Sequence, residues 1–391
     1  MIGLALPVEA SPGAQTMFPT PTVFPVDEVV YTLETVGGVQ ETLTFEYAPD
    51  GAIDPGTATA TSQYPNGMVF TLAPGSSNGE IEDVILFLRN VDGSWTRVAA
   101  EYDAEREVWA AHPVALSAEQ PAWKRFEFYW RVRDGTGAMI DTPPFEAEYS
   151  DPTREWFRME TPYSVVYWFG FSEDDPDFFA REMSTAIAAT TLRLVEGLGR
   201  TLNYTPISVL YPSREAMSEI VGGDVNDPFL GSHTTWSFRM IVQYFEEDET
   251  VVEGAEWMSH WLTHELTHLY LIDAYGGRGT LWWNEGQAEW FAIPPRIDDE
   301  RPLSHDERLF NLVTLQDLPP LSGPIPYEEQ ADGLPYMYSD MGASFINWLI
   351  NTQGGLEVNR QVVDLIRQHV SVYDALEQVT GKTFFELENG W

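Results

Sequence analysis

From about position 29 to 149 the apolar residues come in short runs, at 43–47, 68–72, 84–88, 95–98, 126–132 and 145–149, each bounded by turn-forming residues. β-Branched and aromatic residues dominate these runs, and Tyr129 and Trp130 fall on opposite faces of theirs, the period-two signature of strands burying one side. Asp92-Gly93 and Asp134-Gly135 sit between runs as hairpin turns. With no helical period in this third of the chain, the pattern predicts a β-sandwich over 28–150.

Beyond Asp151-Pro152-Thr153, a boundary signal, the period changes. A strand is expected at 164–169, then a helix over 177–199 started by Asp175-Pro176, a strand at 207–211 and a short helix at 214–221. A strand at 238–244 follows, expected at a sheet edge where an extended peptide could add to it, and helices run from there to the end. The fold class is α+β: an N-terminal β-sandwich, similar in architecture to immunoglobulin or fibronectin modules, followed by a mixed α/β unit over 151–391.

Composition narrows the partners. Among 391 residues, 61 acidic side chains face 21 basic ones, of which Lys124 and Lys382 are the lysines, so the formal charge is −40 and phosphate backbones and anionic lipid surfaces should be repelled. Nucleic acid is not expected as a partner. The chain has no cysteine, which removes thiolate chemistry and leaves metal binding to histidines and carboxylates. No stretch approaches the roughly 20 apolar residues of a membrane-spanning helix. Residues 1–27 combine a short apolar run, Ile2 to Val8, with a Pro/Thr-rich stretch around Pro19, Pro21 and Pro25, read as a leader remnant and linker of a secreted or cell-surface protein. Oligomeric state is not legible.

The chemistry concentrates after position 253. A helix is expected over 253–275, stopped by Gly276-Gly277 and buried, since Met258, Leu262, Leu266, Leu269 and Ile272 line one side and Trp257 and Trp261 another. Burying Glu265 among His260, His264 and His268 is costly unless the group is paired or holds a metal. In His264-Glu265-Leu266-Thr267-His268 the two histidines, four residues apart on one face, can reach a single ion while Glu265 stands beside them as general base. A third ligand is expected on Trp283-Asn284-Glu285-Gly286-Gln287-Ala288-Glu289; Glu285 is assigned to it, with Glu289, one turn on, orienting a histidine ring. His260 is expected to support the site rather than ligate, and His233 to lie in a loop. The acidic groups Glu173, Asp174, Asp175, Asp177 and Asp224, Asn226, Asp227 lack calcium-loop spacing and are read as turns and caps.

HELTH followed by WWNEGQAEWF resembles the gluzincin class of HExxH zinc metallopeptidases, in particular bacterial peptidase-MA-like domains, over roughly 161–391. The resemblance implies one Zn2+ per chain held by His264, His268 and Glu285, the last from an Asn284-Glu285 pair, with Glu265 activating water against a peptide or protein substrate. The His268-to-Glu285 gap of 17 positions is slightly tighter than in the better-known members. It also implies an oxyanion-stabilising Tyr or His from a later element, for which Tyr336 and Tyr338 are the candidates. Two other readings stay open: a surface-binding or scaffold protein with a structural or degenerate zinc site, and hydrolysis of a non-protein amide or ester.

Overall fold

The computed structural model describes residues 30–89, 95–113, 121–221, 232–235, 239–244, 251–292, 320–322 and 334–391, with side chains omitted at 219–221, 232–235, 251–259 and 334–337. The leader, the Pro/Thr stretch, Asp92-Gly93 and the Asp224 cluster lie outside the described residues. The molecule is mixed α+β with a β-rich N-terminal region.

That region contains two facing sheets. One has the order β2 (Thr42–Glu46), β4 (Thr57–Ser62), β5 (Met68–Leu72), β10 (Val108–Ala111), β9 (Glu101–Asp103). The other has β12 (Met139–Asp141), β11 (Arg125–Asp134), β7 (Ile81–Arg89), β8 (Trp95–Ala99), with β13 (Phe145–Glu148) also on β11; β3 (Ile53–Asp54) and β6 (Gly75–Ser76) form a small ribbon. Phe45 and Phe70 of the first sheet meet Phe128 of the second edge to face, at 5.4 and 5.0 Å between centroids. Trp130 points into this core while Tyr129 stacks on Phe87 outside it, as the alternation requires. At Asp134-Gly135 the chain turns from β11 into β12, the buried Asp134 carboxylate accepting from Thr136 and Ala138 amides and from Ser76.

A third sheet runs β1 (Thr32–Gly37), β14 (Glu155–Glu160), β15 (Val165–Trp168), β16 (Ile207–Tyr211), β18 (Met240–Tyr244), β17 (Ser232–Thr235). β15, β16 and β18 are parallel to one another and the outer pairings are antiparallel. Both faces are covered, and successive residues take opposite sides. Val165, Tyr167, Ile207, Val209, Tyr211, Met240 and Val242 join the core of the β-rich region. Val166, Trp168, Leu210 and Ile241 join a second core under the helices. The helices are α1 (Pro176–Leu198), α2 (Arg214–Val221), α3 (Val251–Tyr275), α4 (Leu281–Phe291), α5 (Leu334–Gln353), α6 (Leu356–Arg367), α7 (Val372–Thr380) and α8 (Phe384–Gly390). α1 starts as expected, with Asp175 capping the Phe178 amide at 3.0 Å and Pro176 at the first turn.

Two expectations are corrected. β1, placed by sequence with the sandwich, pairs along its whole length with β14 in the third sheet, because Leu33 packs on the helix-side core and Val36 on the other. The strand ending at Tyr244 is interior, hydrogen-bonded to β16 and β17, so among the described residues the edge is β17, and His233 sits in that strand rather than in a loop. At the boundary signal the chain makes a packed joint: the buried Asp151 carboxylate accepts from the Thr153 amide and hydroxyl and from Trp156 Nε1.

Candidate metal centre

The site is built on α3 and α4. In α3, Leu262, Leu266 and Leu269 anchor the helix in the core, which turns His264 and His268, on the opposite face, toward α4. The helix ends where expected, Gly276 at φ 68° donating its amide to Ile272 O at 2.7 Å. Gly276, Gly277 and Gly279 then make a turn tight enough to bring α4 back against α3 after a few residues. Gly279 has a steric reason as well, since a Cβ there would stand 2.1 Å from Asn284 Oδ1. Asn284 in turn accepts from Tyr275 Oη at 2.7 Å and donates to Gly279 O at 3.4 Å, fastening the first turn of α4 to the end of α3 one residue before Glu285.

Three donor atoms converge. His264 Nε2 and His268 Nε2 are 3.2 Å apart, and Glu285 Oε2 is 3.4 Å from each. Among the described residues this trio forms a group able to hold a metal ion. On the far side of the ring, His264 Nδ1 is 3.3 Å from Glu289 Oε1, ion-pair distance but off the line a hydrogen bond needs. The other Glu289 oxygen is 3.8 Å from His260 Nε2. Glu289 therefore lies between His260 and His264, and His260 stands outside the trio. Side-chain exposure is 7% for His264, 16% for His268 and 27% for Glu285, so the cluster opens to solvent on the Glu285 side.

The electrostatics follow from this crowding. Burial disfavours a charged His264, yet the carboxylates of Glu285, Glu289 and Glu265 outweigh it and raise its pKa well above the ordinary histidine value. Burial likewise acts to raise Glu285, but the His268 and His264 rings prevail and hold its carboxyl well below the usual range. Such a cluster could hold a cation at its centre.

The remaining expected residues are placed unevenly. Glu265 is buried at 6% exposure on the histidine-bearing turn. Tyr338 lies on α5, buried, one helical turn before Gly342, which touches Gly286 next to Glu285; that spacing puts it on the α4-facing side. Tyr336 is on the same helix, outside the described side chains. Not foreseen were Arg193, which holds the last carbonyls of α4, and the buried Gln287–Asn359 amide pair at 2.6 Å. Both act across elements distant in sequence, where no local pattern reports them.

No family model matches the sequence, and no curated protein matches it. Among solved structures, a Br derivative of BhCBM56 is similar at 13% identity over 27% of this chain and 99% of its own, with a TM-score of 0.19. BC0361, a polysaccharide deacetylase from Bacillus cereus, is similar at 10% identity over 59% of this chain and 78% of its own, with a TM-score of 0.18. Likenesses this faint carry no argument about the site.

Proposed function

We propose that this chain is a zinc-dependent peptidase of the gluzincin type, with His264, His268 and Glu285 holding the metal and Glu265 as general base. The observation that carries the reading is the donor triangle, with edges of 3.2, 3.4 and 3.4 Å. Ligands about 2.0–2.1 Å from zinc at tetrahedral angles stand about 3.3–3.4 Å from one another, so these residues fit that ion without rearrangement. Three protein ligands, with the Glu285 side open, match a catalytic better than a closed structural site. When bound, the metal would supply Lewis acidity, acidifying a water and polarising a carbonyl.

The chain's own groups do the rest. Glu265, the residue after His264, takes the proton from the attacking water and returns it to the leaving amine. The Glu289 carboxylate, 3.3 Å from His264 Nδ1, favours a proton on that nitrogen, which leaves the Nε2 lone pair for the centre. Asn284 sets the height of Glu285 through Tyr275 and Gly279. Tyr338, on the helix that crosses α4, is the leading donor to the developing oxyanion. β17, the edge strand beside α3, offers backbone groups to an extended peptide, the role first expected of its neighbour.

The test is elemental zinc per chain, on wild type and Glu285→Ala prepared without added metal, with peptide pools and small amides assayed in parallel. One zinc in the wild type and a clear loss in the variant are expected. Glu265→Gln should retain zinc while losing hydrolysis. No zinc in the wild type after reconstitution would sink the reading. Cleavage of small amides but no peptide would move the substrate class to non-protein amides.

A further inference from the structure

α4 carries Asn284, Glu285 and Glu289 within 11 residues, yet it lacks the local devices that hold a short helix. Thr280 at its N-cap makes no side-chain capping bond, and its hydroxyl is buried without a partner. The first turn has no acidic residue and the last turn no basic one. An 11-residue helix of this kind takes its stability and its rotation from what packs on it.

At the C-terminal end that partner is Arg193 of α1. Its Nη2 donates to Trp290 O at 2.6 Å and its Nη1 to Ala292 O at 3.1 Å, two carbonyls that helix geometry leaves without intrahelical partners. The guanidinium also sits 5.7 Å from the centroid of the Trp290 ring. One turn along α1, Gly197 leaves room for Phe291, whose Cζ would be 2.2 Å from a Cβ at that position. The Gly197 carbonyl accepts from Asn359 at 3.3 Å, and Asn359 exchanges two amide hydrogen bonds with Gln287 of α4 at 2.6 and 3.2 Å. Part of the Arg193 side chain reaches solvent, but burial of its guanidinium pushes the pKa down to about 10, so it stays cationic at neutral pH. A retained positive charge then faces the negative end of the α4 dipole.

We infer that Arg193 is a positioning residue for the metal centre: by pinning the Trp290 and Ala292 carbonyls, it sets the rotation of α4 at which Glu285 and Glu289 meet His264. The residue after Glu289 is the one whose carbonyl is gripped, so turning the helix end turns the carboxylate that orients His264. This rests on the metal-binding reading above. A residue that only braces the fold would lower stability and leave the ligand geometry of the folded protein alone.

The experiment uses the full chain as wild type, Arg193→Met, Arg193→Lys and Leu72→Ala, the last a core truncation in β5 remote from the site. Zinc affinity is read by competition with a chromophoric chelator, and ligand geometry by the visible absorption of the cobalt(II)-loaded protein. Arg193→Met should weaken zinc binding by about 10- to 100-fold and shift the cobalt bands. Arg193→Lys should recover part of the affinity, because an ammonium serves one carbonyl well but not both. Leu72→Ala should lower the Tm with affinity and bands unchanged. Folded Arg193→Met with wild-type affinity and bands would overturn the inference. If Arg193→Met does not fold, wild-type behaviour of Arg193→Lys overturns it. Wild type binding neither zinc nor cobalt would sink the metal-binding reading instead.

Discussion

Gly286 and Gly342 are where α4 and α5 touch backbone to backbone. A Cβ on Gly286 would lie 2.4 Å from Gly342 C, and one on Gly342 would lie 2.1 Å from Trp282 O. Neither obstacle is a side chain that can swing away, so Gly286→Ala and Gly342→Ala should each cost about 2–3 kcal/mol and weaken zinc binding by displacing Glu285; thermal melts and zinc titration check both effects. Tyr338→Phe removes one hydroxyl from the same crossing. It should lower kcat on the order of 100-fold with zinc content unchanged, and an unaltered kcat would remove Tyr338 from the mechanism. Lys124 carries a pH signature. It is buried, with its ammonium 4.6 Å from the Phe126 ring centroid, and burial pushes its pKa down to about 7. The unfolded chain keeps the ordinary lysine value of about 10.4, so between pH 7 and about 10 it binds more protons than the folded one, and this group makes stability rise with pH across that window. Below pH 7 the cost is fully present. Lys124→Met should therefore raise the Tm at pH 6 and flatten the rise above pH 7, which denaturant melts across pH would show.

At the scale of elements, what was legible from sequence tracks how distinctly each segment shows its period. Runs rich in large apolar residues, such as 68–72 and 207–211, coincide with β5 and β16 to the residue. β4 escaped notice because it reads Thr-Ala-Thr-Ala-Thr-Ser, although Ala58 and Ala60 are fully buried: small residues fill a core position without announcing it. β15 and β18 were visible as strands, but both are buried on both faces, and a strand without alternation gives no hint of its neighbours. That is why the edge was assigned one strand inward of its place in the sheet. β1 has the opposite difficulty. Its few apolar residues, Leu33 and Val36, face two different cores, so proximity in sequence was the available guide and it pointed to the wrong sheet. Deleting residues 1–38 should remove the edge partner of β14 and the Glu34–Arg158 ion pair. The expected cost is about 2 kcal/mol or more, read as a lower Tm of the whole chain, and an unchanged Tm would deny β1 that role.

On the scale of the whole molecule, the β-rich region is the second cover of the third sheet. Tyr167, Val209, Tyr211 and Val242 are fully buried against it, so a fragment starting at residue 151 should expose that face and aggregate or unfold; a soluble, cooperatively melting fragment would refute this. The charge of −40 belongs to this scale as well. Peptides with lysine or arginine near the scissile bond should be captured faster than isosteric neutral ones, with an advantage in kcat/KM that shrinks as salt is raised; a salt-independent ratio would exclude steering.

The HELTH helix, its glycine stop, the Asn284-Glu285 pair and the β-to-α change of period were determined by sequence alone, because each is a matter of spacing along a few turns of chain. Helical geometry makes residues four apart neighbours wherever the helix goes. The tertiary structure alone decided which strand forms the edge, which sheet takes β1, that Glu289 lies between two histidines, and that Arg193 holds the helix bearing Glu285. Apart from the β17–β18 pairing, these are contacts between residues 25 to 128 positions apart, and apolar periodicity says that a face is buried without saying against what.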